Sequence, residues 1–265
     1  MRKTLGLSVP PPQEMDPWNS RSAEAKELHT YIYDILKVRI CDDSRSIKTK
    51  LESILGTNPY ASLELSINGF SHFHDCIHLG EEFGCQPRRI QELLTQLRVF
   101  VLQTDDIKEH FKTKILLNRT NDGFTLLQQA VTNGNIDLIN LVVQWYEQAK
   151  LSNPEEFKTK ILLNSTKAGF NIYHQAGMTL KLSESGEFLK GIKSLLTSKE
   201  ISTLLNQKTK NGFRPGNPRN PEMNKYISDL RAECQEAARP GGGRPGERTG
   251  YQRQGRGRGR WRGRG

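Results

Sequence analysis

The sequence predicts an all-α chain in which helical repeats stack side by side, and three observations carry that expectation. First, Phe111-Lys112-Thr113-Lys114-Ile115-Leu116-Leu117-Asn118 returns residue for residue as Phe157-Lys158-Thr159-Lys160-Ile161-Leu162-Leu163-Asn164, an offset of 46 residues. An identity of that length at a fixed offset marks a duplicated supersecondary unit. Such units stack because each has an apolar face it cannot bury alone. Second, apolar residues recur at i, i+3, i+4 and i+7 over long stretches, the spacing of one helix face. Third, no segment alternates apolar and polar residues with β-branched enrichment, the mark of a half-buried strand.

The elements follow in order. Residues 1–19 contain Pro10, Pro11, Pro12 and Pro17 with little periodicity, and read as a flexible lead. Residues 20–66 read as an N-terminal helical cap. Its first helix runs from near Ser22 to about Ile40, with Leu28, Tyr31, Ile32, Ile35, Leu36 and Ile40 on one face and Cys41 at its end. A second helix over Ser44–Leu55 stops at Gly56, a residue that ends helices readily. Repeats are expected over residues 67–219. Pro87 suits the first turn of a helix carrying Ile90, Leu93, Leu94, Leu97, Val101 and Leu102. Asn153-Pro154-Glu155-Glu156 and Asn220-Pro221-Glu222 are two more helix starts. In each, Asn can cap, Pro fits the first turn and Glu meets the positive dipole end. Residues 220–238 form a closing helix with Met223, Tyr226, Ile227, Leu230 and Cys234 on one face. Residues 239–265 are Arg/Gly-rich, a composition too polar to fold, and are expected to be disordered.

Each octapeptide is followed by a Gly-Phe pair, Gly123-Phe124 and Gly169-Phe170. A worn third copy reads Leu204-Leu205-Asn206 with Gly212-Phe213, and Asn68-Gly69-Phe70 marks an earlier one. After these pairs the chain resembles the ankyrin-repeat family, whose pattern is Gly-x-Thr-Pro-Leu-His-x-Ala, a short inner helix, Gly, and an outer helix. Gly123, Thr125, Leu127, Ala130 and Gly134 fall on that pattern, and Ile136–Val143 on the outer helix. His174 and Ala176 take the His and Ala positions of the next copy, and His74 and Cys76 those of the first. The glycine permits a tight turn, the hydroxyl residue caps the inner helix, and the small residue lets paired helices approach. Two departures stand out. No Pro follows Thr125, and the period is 46 rather than about 33 residues. The added residues include Glu156–Leu163, which look helical, so an extra helix replaces the usual hairpin finger. The resemblance implies an ankyrin-like solenoid that binds a protein partner on the concave face of its inner helices. Lengthened repeats of this kind also resemble effectors that bacteria deliver into host cells.

Net charge is +10, yet nine Arg and one Glu in residues 239–265 supply +8 of it. The other 238 residues hold thirty basic and twenty-eight acidic groups, so the body is close to neutral. Within the tail, Arg253, Arg256, Arg258, Arg260, Trp261, Arg262 and Arg264 resemble the Arg-Gly boxes of RNA-binding proteins. Arginine pairs bidentately with phosphate and stacks on bases as Lys does not, so RNA or another acidic surface is the expected partner there. Trp145 and Tyr146 close the best outer helix. They serve either as inter-repeat packing or as an aromatic anchor on a partner face.

Other chemistry is thin. His72, His74, Cys76, His78 and Cys85 lie within 14 residues, and the i, i+4 pairs His72/Cys76 and His74/His78 could ligate zinc. His74 and Cys76 also have structural roles in the ankyrin pattern, so neither a metal nor any other cofactor is assigned. The sequence has no phosphate-binding loop, no His-Glu-x-x-His and no Gly-x-Ser-x-Gly, and a non-enzymatic chain is expected. No apolar run approaches the roughly 20 residues that cross a bilayer. Met1–Pro12 lacks the pattern of a secretory signal. The four cysteines have no framework spacing, which fits a reducing compartment and a cytoplasmic or nuclear protein.

Overall fold

A computed structural model describes residues 22–37, 44–56, 58–66, 68–102, 105–149, 154–217 and 219–238. Expectations for the lead, Ile40, Cys41, Asn153 and the Arg/Gly tail, including Arg253, Arg256, Arg258, Arg260, Trp261, Arg262 and Arg264, lie outside those residues. Among the described residues every regular element is helical and there is no strand.

The cap consists of α1 (Ala23–Lys37), α2 (Ser44–Leu55) and a 3-10 turn (Pro59–Leu63). Three modules follow. The first holds α3 (His72–Glu82), α4 (Pro87–Val101) and α5 (Asp105–Phe111), which runs on into a π turn, π1 (Lys112–Leu116). The second repeats this as α6 (Leu126–Asn133), α7 (Ile136–Gln148), α8 (Pro154–Phe157) and π2 (Lys158–Leu162). The third has α9 (Ile172–Thr179), α10 (Leu182–Leu195) and α11 (Ser198–Asn206), and α12 (Pro221–Ala237) comes last.

The helices form two rows. α1, α3, α6 and α9 pack in sequence as an inner row, while α2, α4, α7 and α10 pack as an outer row. The cap thus occupies the place of one more helix pair at the head of the stack. α12 closes the far end against α9, α10 and α11, burying Met223, Ile227, Leu230 and Cys234 with Tyr226 half-buried. The capping chemistry is as the residues suggest. Thr125 accepts from the Gln128 amide at 3.2 Å while Gln128 Oε1 accepts from the Thr125 amide at 3.1 Å, a reciprocal capping box. Asn220 accepts from the Met223 amide at 3.2 Å. Cys76, Ala130 and Ala176 are all fully buried on the inner helices.

The extra helix of each long module carries the repeated octapeptide, and both copies adopt the same uncommon backbone. The Leu117 amide donates to the Lys112 carbonyl and the Leu163 amide to the Lys158 carbonyl, both at 2.9 Å, skipping one residue beyond the α pattern. Threonine supplies a reason. Thr113 Oγ1 donates to the Glu109 carbonyl at 3.0 Å, and Thr159 Oγ1 donates to the Glu155 carbonyl at 2.7 Å, occupying the i−4 acceptor and loosening the turn. The wider turn brings Ile115 with Leu116, and Ile161 with Leu162, to the interior as adjacent buried pairs.

Candidate functional site

The modules are joined along one edge by four turns of common construction. In each, a Ser or Thr amide donates to a Phe carbonyl: Ser66 to Phe70 at 2.8 Å, Thr120 to Phe124 at 2.9 Å, Thr166 to Phe170 at 2.8 Å and Thr209 to Phe213 at 2.8 Å. The same hydroxyl accepts from the Phe amide, at 3.0 Å for Ser66 and Thr166 and 3.1 Å for Thr120 and Thr209. The glycine before each Phe has positive φ, from 73° at Gly69 to 86° at Gly123 and Gly169, which a side chain would strain.

Successive turns bond to one another. The Asn121 amide donates to the Asn68 carbonyl and the Lys167 amide to the Asp122 carbonyl, both at 2.7 Å; the Lys210 amide donates to the Ala168 carbonyl at 2.9 Å. The spacing is tight enough that a Cβ on Gly169 would stand 2.9 Å from Thr209 Cα. The end of each of the first two modules returns to its own turn. Asn118 Nδ2 reaches the Gly69 carbonyl at 2.9 Å and Asn164 Nδ2 the Gly123 carbonyl at 2.7 Å. Within the second module Gln128 Nε2 donates to the Asn164 carbonyl at 3.2 Å, and at the last turn His174 Nε2 lies 3.2 Å from the Phe213 carbonyl. The Asn171 amide donates to His174 Nδ1, so His174 is neutral with its proton on Nε2. Burial holds it below its usual pKa, partly opposed by the Phe213 carbonyl.

The inner helices offer no open face. His72–Ile77, Leu126–Val131 and Ile172–Gly177 are each six consecutive buried residues, so these helices are enclosed on every side. This corrects the expected concave partner surface, because none of the three inner helices leaves a side open. Trp145 and Tyr146 are likewise interior, 2% and 3% exposed. Trp145 meets Phe73 edge-on at 5.7 Å and Phe111 at 6.1 Å, linking three elements of two modules. Arg98 lies over its ring at 5.4 Å. Tyr146 donates its hydroxyl to the Leu116 carbonyl at 2.7 Å and packs on Phe157. The anchor reading of these two aromatics is therefore corrected to packing, since neither ring has surface to give a partner.

The His/Cys cluster is dispersed by the fold. His72 sits between the Ala25 and Ser62 carbonyls at 3.1 and 3.2 Å, docking the cap on α3. His74 faces Ser71, with Nδ1 2.7 Å from Oγ. Cys76 is buried, His78 lies against Phe70 at 6.0 Å, and Cys85 donates to the Leu36 carbonyl. No group of three potential metal ligands converges among the described residues. A concavity of about 350 Å³ is lined by Tyr60, Leu63, Glu64, Leu65, His110 and Lys114, and its histidine stacks edge-on against Tyr60 at 5.7 Å.

The turn edge itself is the surface that sequence reading missed. Arg119, Lys167, Lys208, Lys210 and Arg214 project along it, all exposed and none in an ion pair among the described residues. The signal was present in the sequence as a basic residue at, or next to, each of the last three Gly-Phe turns, hidden by the near-neutral sum over the body.

Comparison with models of known protein families and with curated proteins finds no match to this chain. No helix among the described residues is long and apolar enough to cross a membrane.

Proposed function

We propose that this chain is a non-enzymatic binding protein working in the cytoplasm or nucleus: an ankyrin-like solenoid that holds a protein partner, with an Arg/Gly tail that contacts RNA. The observation that carries the reading is the recurrence of one module whose turns bond to each other in series. A stack of this kind builds extended surface and no enclosed reaction chamber. With the inner helices enclosed, the partner is taken on the outer row, where Val99 at the end of α4 and Leu195 at the end of α10 are 55% and 50% exposed. Large aliphatic side chains are among the groups a protein partner covers, and these two stand on helices either side of α7 in the row.

The test is affinity capture from cell lysate with the full chain, eluting protein and RNA separately. Val99→Asp with Leu195→Asp should remove the protein component and spare the RNA. Replacing Arg253, Arg256, Arg258, Arg260, Arg262 and Arg264 with Gln should do the reverse. Recovery of the same protein and RNA from both variants would refute the assignment.

A further inference from the structure

The body is electrically neutral only in sum. Residues 112–122, 154–168 and 198–219, which build π1, the third helices of the second and third modules and the last three turns, hold eleven basic and four acidic residues, a net +7; α5, outside them, has three acidic residues and one lysine. The remaining body then carries a net charge of −5. Three of the eleven cations, Lys112, Lys158 and Lys160, are paired with glutamates. The other eight have no ion pair among the described residues, and all eight are exposed. Direct contacts bring the segments that carry Arg119, Lys167, Lys208 and Lys210 onto one surface. Arg119 Nη2 donates to the Lys160 carbonyl at 2.9 Å, Ser165 bonds Gln207 beside Lys208, and the Lys210 amide rests on the turn that holds Lys167. Backbone geometry puts the Lys167 and Lys210 stems within about 10 Å of each other, about one Debye length at 0.1 M salt, so their fields add.

The last turn adds a second feature. Phe70 and Phe170 are half-buried against His74 and His174, at 5.9 and 5.7 Å between rings. Phe213 has no following module and is 65% exposed, with Lys210 and Arg214 beside it. It is held rigidly. Its carbonyl accepts from the Thr209 amide and lies 3.2 Å from His174 Nε2, and its amide donates to Thr209 Oγ1. An exposed aromatic ring on a fixed backbone among unpaired cations has the two elements of single-strand recognition, a stacking platform and a phosphate track.

We propose that the turn edge binds a single-stranded polynucleotide, with Arg119, Lys167, Lys208 and Lys210 at phosphates and an unpaired base stacked on Phe213. An acidic protein would satisfy the cations but leave the ring unused, and duplex bases present no open face to it. This surface belongs to the folded modules and does not depend on the tail, whose assignment is tested separately.

The experiment is fluorescence anisotropy of full-length protein with labelled 20-mers of U and dT over a range of salt. Phe213→Ala should weaken both about 5- to 150-fold with the salt slope unchanged, and Phe213→Trp should bind like the parent. Gln at Lys167, Lys208 and Lys210 together should lower the slope by about 2. All these side chains are exposed, so an unchanged melting temperature certifies each variant. If the Phe213 and lysine variants bind like the parent while the arginine-to-glutamine tail variant fails, this proposal is overturned and the tail reading stands. Equal competition by polyglutamate, with Phe213→Ala silent, overturns it in favour of an acidic protein ligand. A preference between U and dT reports which polynucleotide is favoured, and binding of either one with the stacking signature upholds the surface.

Discussion

The amide of Lys210 donates to the carbonyl of Ala168, and among the described residues no later turn does the same for Asn211. The Gly-Phe turns are alike in dihedral angle and internal bonding, but only the last stands without a neighbour: a Cβ on Gly212 would meet nothing within 4 Å. Glycine is therefore required for two separable reasons, a positive φ at every turn and close approach at all but the final one.

Gly169→Ala and Gly212→Ala separate those reasons. Both alter a residue with φ above 80°, so both incur about 1 kcal/mol of backbone strain. Only Gly169→Ala also drives a methyl to 2.9 Å from Thr209 Cα. Urea denaturation should show Gly169→Ala the more damaging by at least about 1 kcal/mol. Equal losses would mean that the turns are not in contact.

Asn164→Ala should destabilise by about 2–3 kcal/mol. The side chain is buried and makes two bonds of 2.7 Å, to the Gly123 carbonyl and to Gln128 Oε1; its removal takes the side-chain donor from the buried Gly123 carbonyl and leaves Gln128 Oε1 with its Thr125 donors alone. Asn164→Asp cannot donate to either carbonyl oxygen and should be worse than alanine. Thermal melts of the two variants check the order.

Trp145→Ala should cost about 3–5 kcal/mol of stability, the range for emptying a buried aromatic site. The loss should appear in denaturant titrations of the isolated protein. A variant as stable as the parent would place the ring outside the core.

Acid should loosen the first module. Burial pushes the His74 imidazole down to about 4, against a smaller opposing pull from Asp75. The unfolded chain then binds a proton more readily than the folded one between about pH 6.5 and 4. Stability from neutral His74 is complete above that window and falls through it, by about 3 kcal/mol at the acid end. His174 shifts in the same direction and adds to the trend. Denaturation at pH 7 and pH 4.5 should show the loss, and His74→Gln should reduce it. Glutamine is the residue that the second module carries at the equivalent place, Gln128.

Much of this was legible in sequence because the deciding interactions are local. α2 spans Ser44–Leu55 as its periodicity indicates, and Pro87, Pro154 and Pro221 open helices where their fixed φ is harmless. The extra helix inferred from Glu156–Leu163 is α8 with π2. What escaped depended on three-dimensional neighbours. The π turns are set by a threonine hydroxyl competing for a carbonyl against the demand to bury Ile and Leu together, and periodicity alone cannot weigh those. The enclosure of α6 could not be read from Leu126–Val131, where Gln128 and Gln129 look like surface residues. Both are buried, Gln128 because its amide is matched by Asn164 from the end of the same module. The charged edge was lost by summing over the chain, since Arg119, Lys167 and Lys210 are far apart in sequence and adjacent only once the turns stack.

Because Asn118 reaches back to Gly69 and Asn164 to Gly123, each of the first two modules is a nearly closed loop whose first and last residues meet. A segment with that property can be copied in tandem, or excised, and the chain on either side needs only to rejoin across a short gap. Duplication of such a segment disturbs little beyond the new seam. An octapeptide that makes the same bonds in both places has had little physical reason to drift since it was copied.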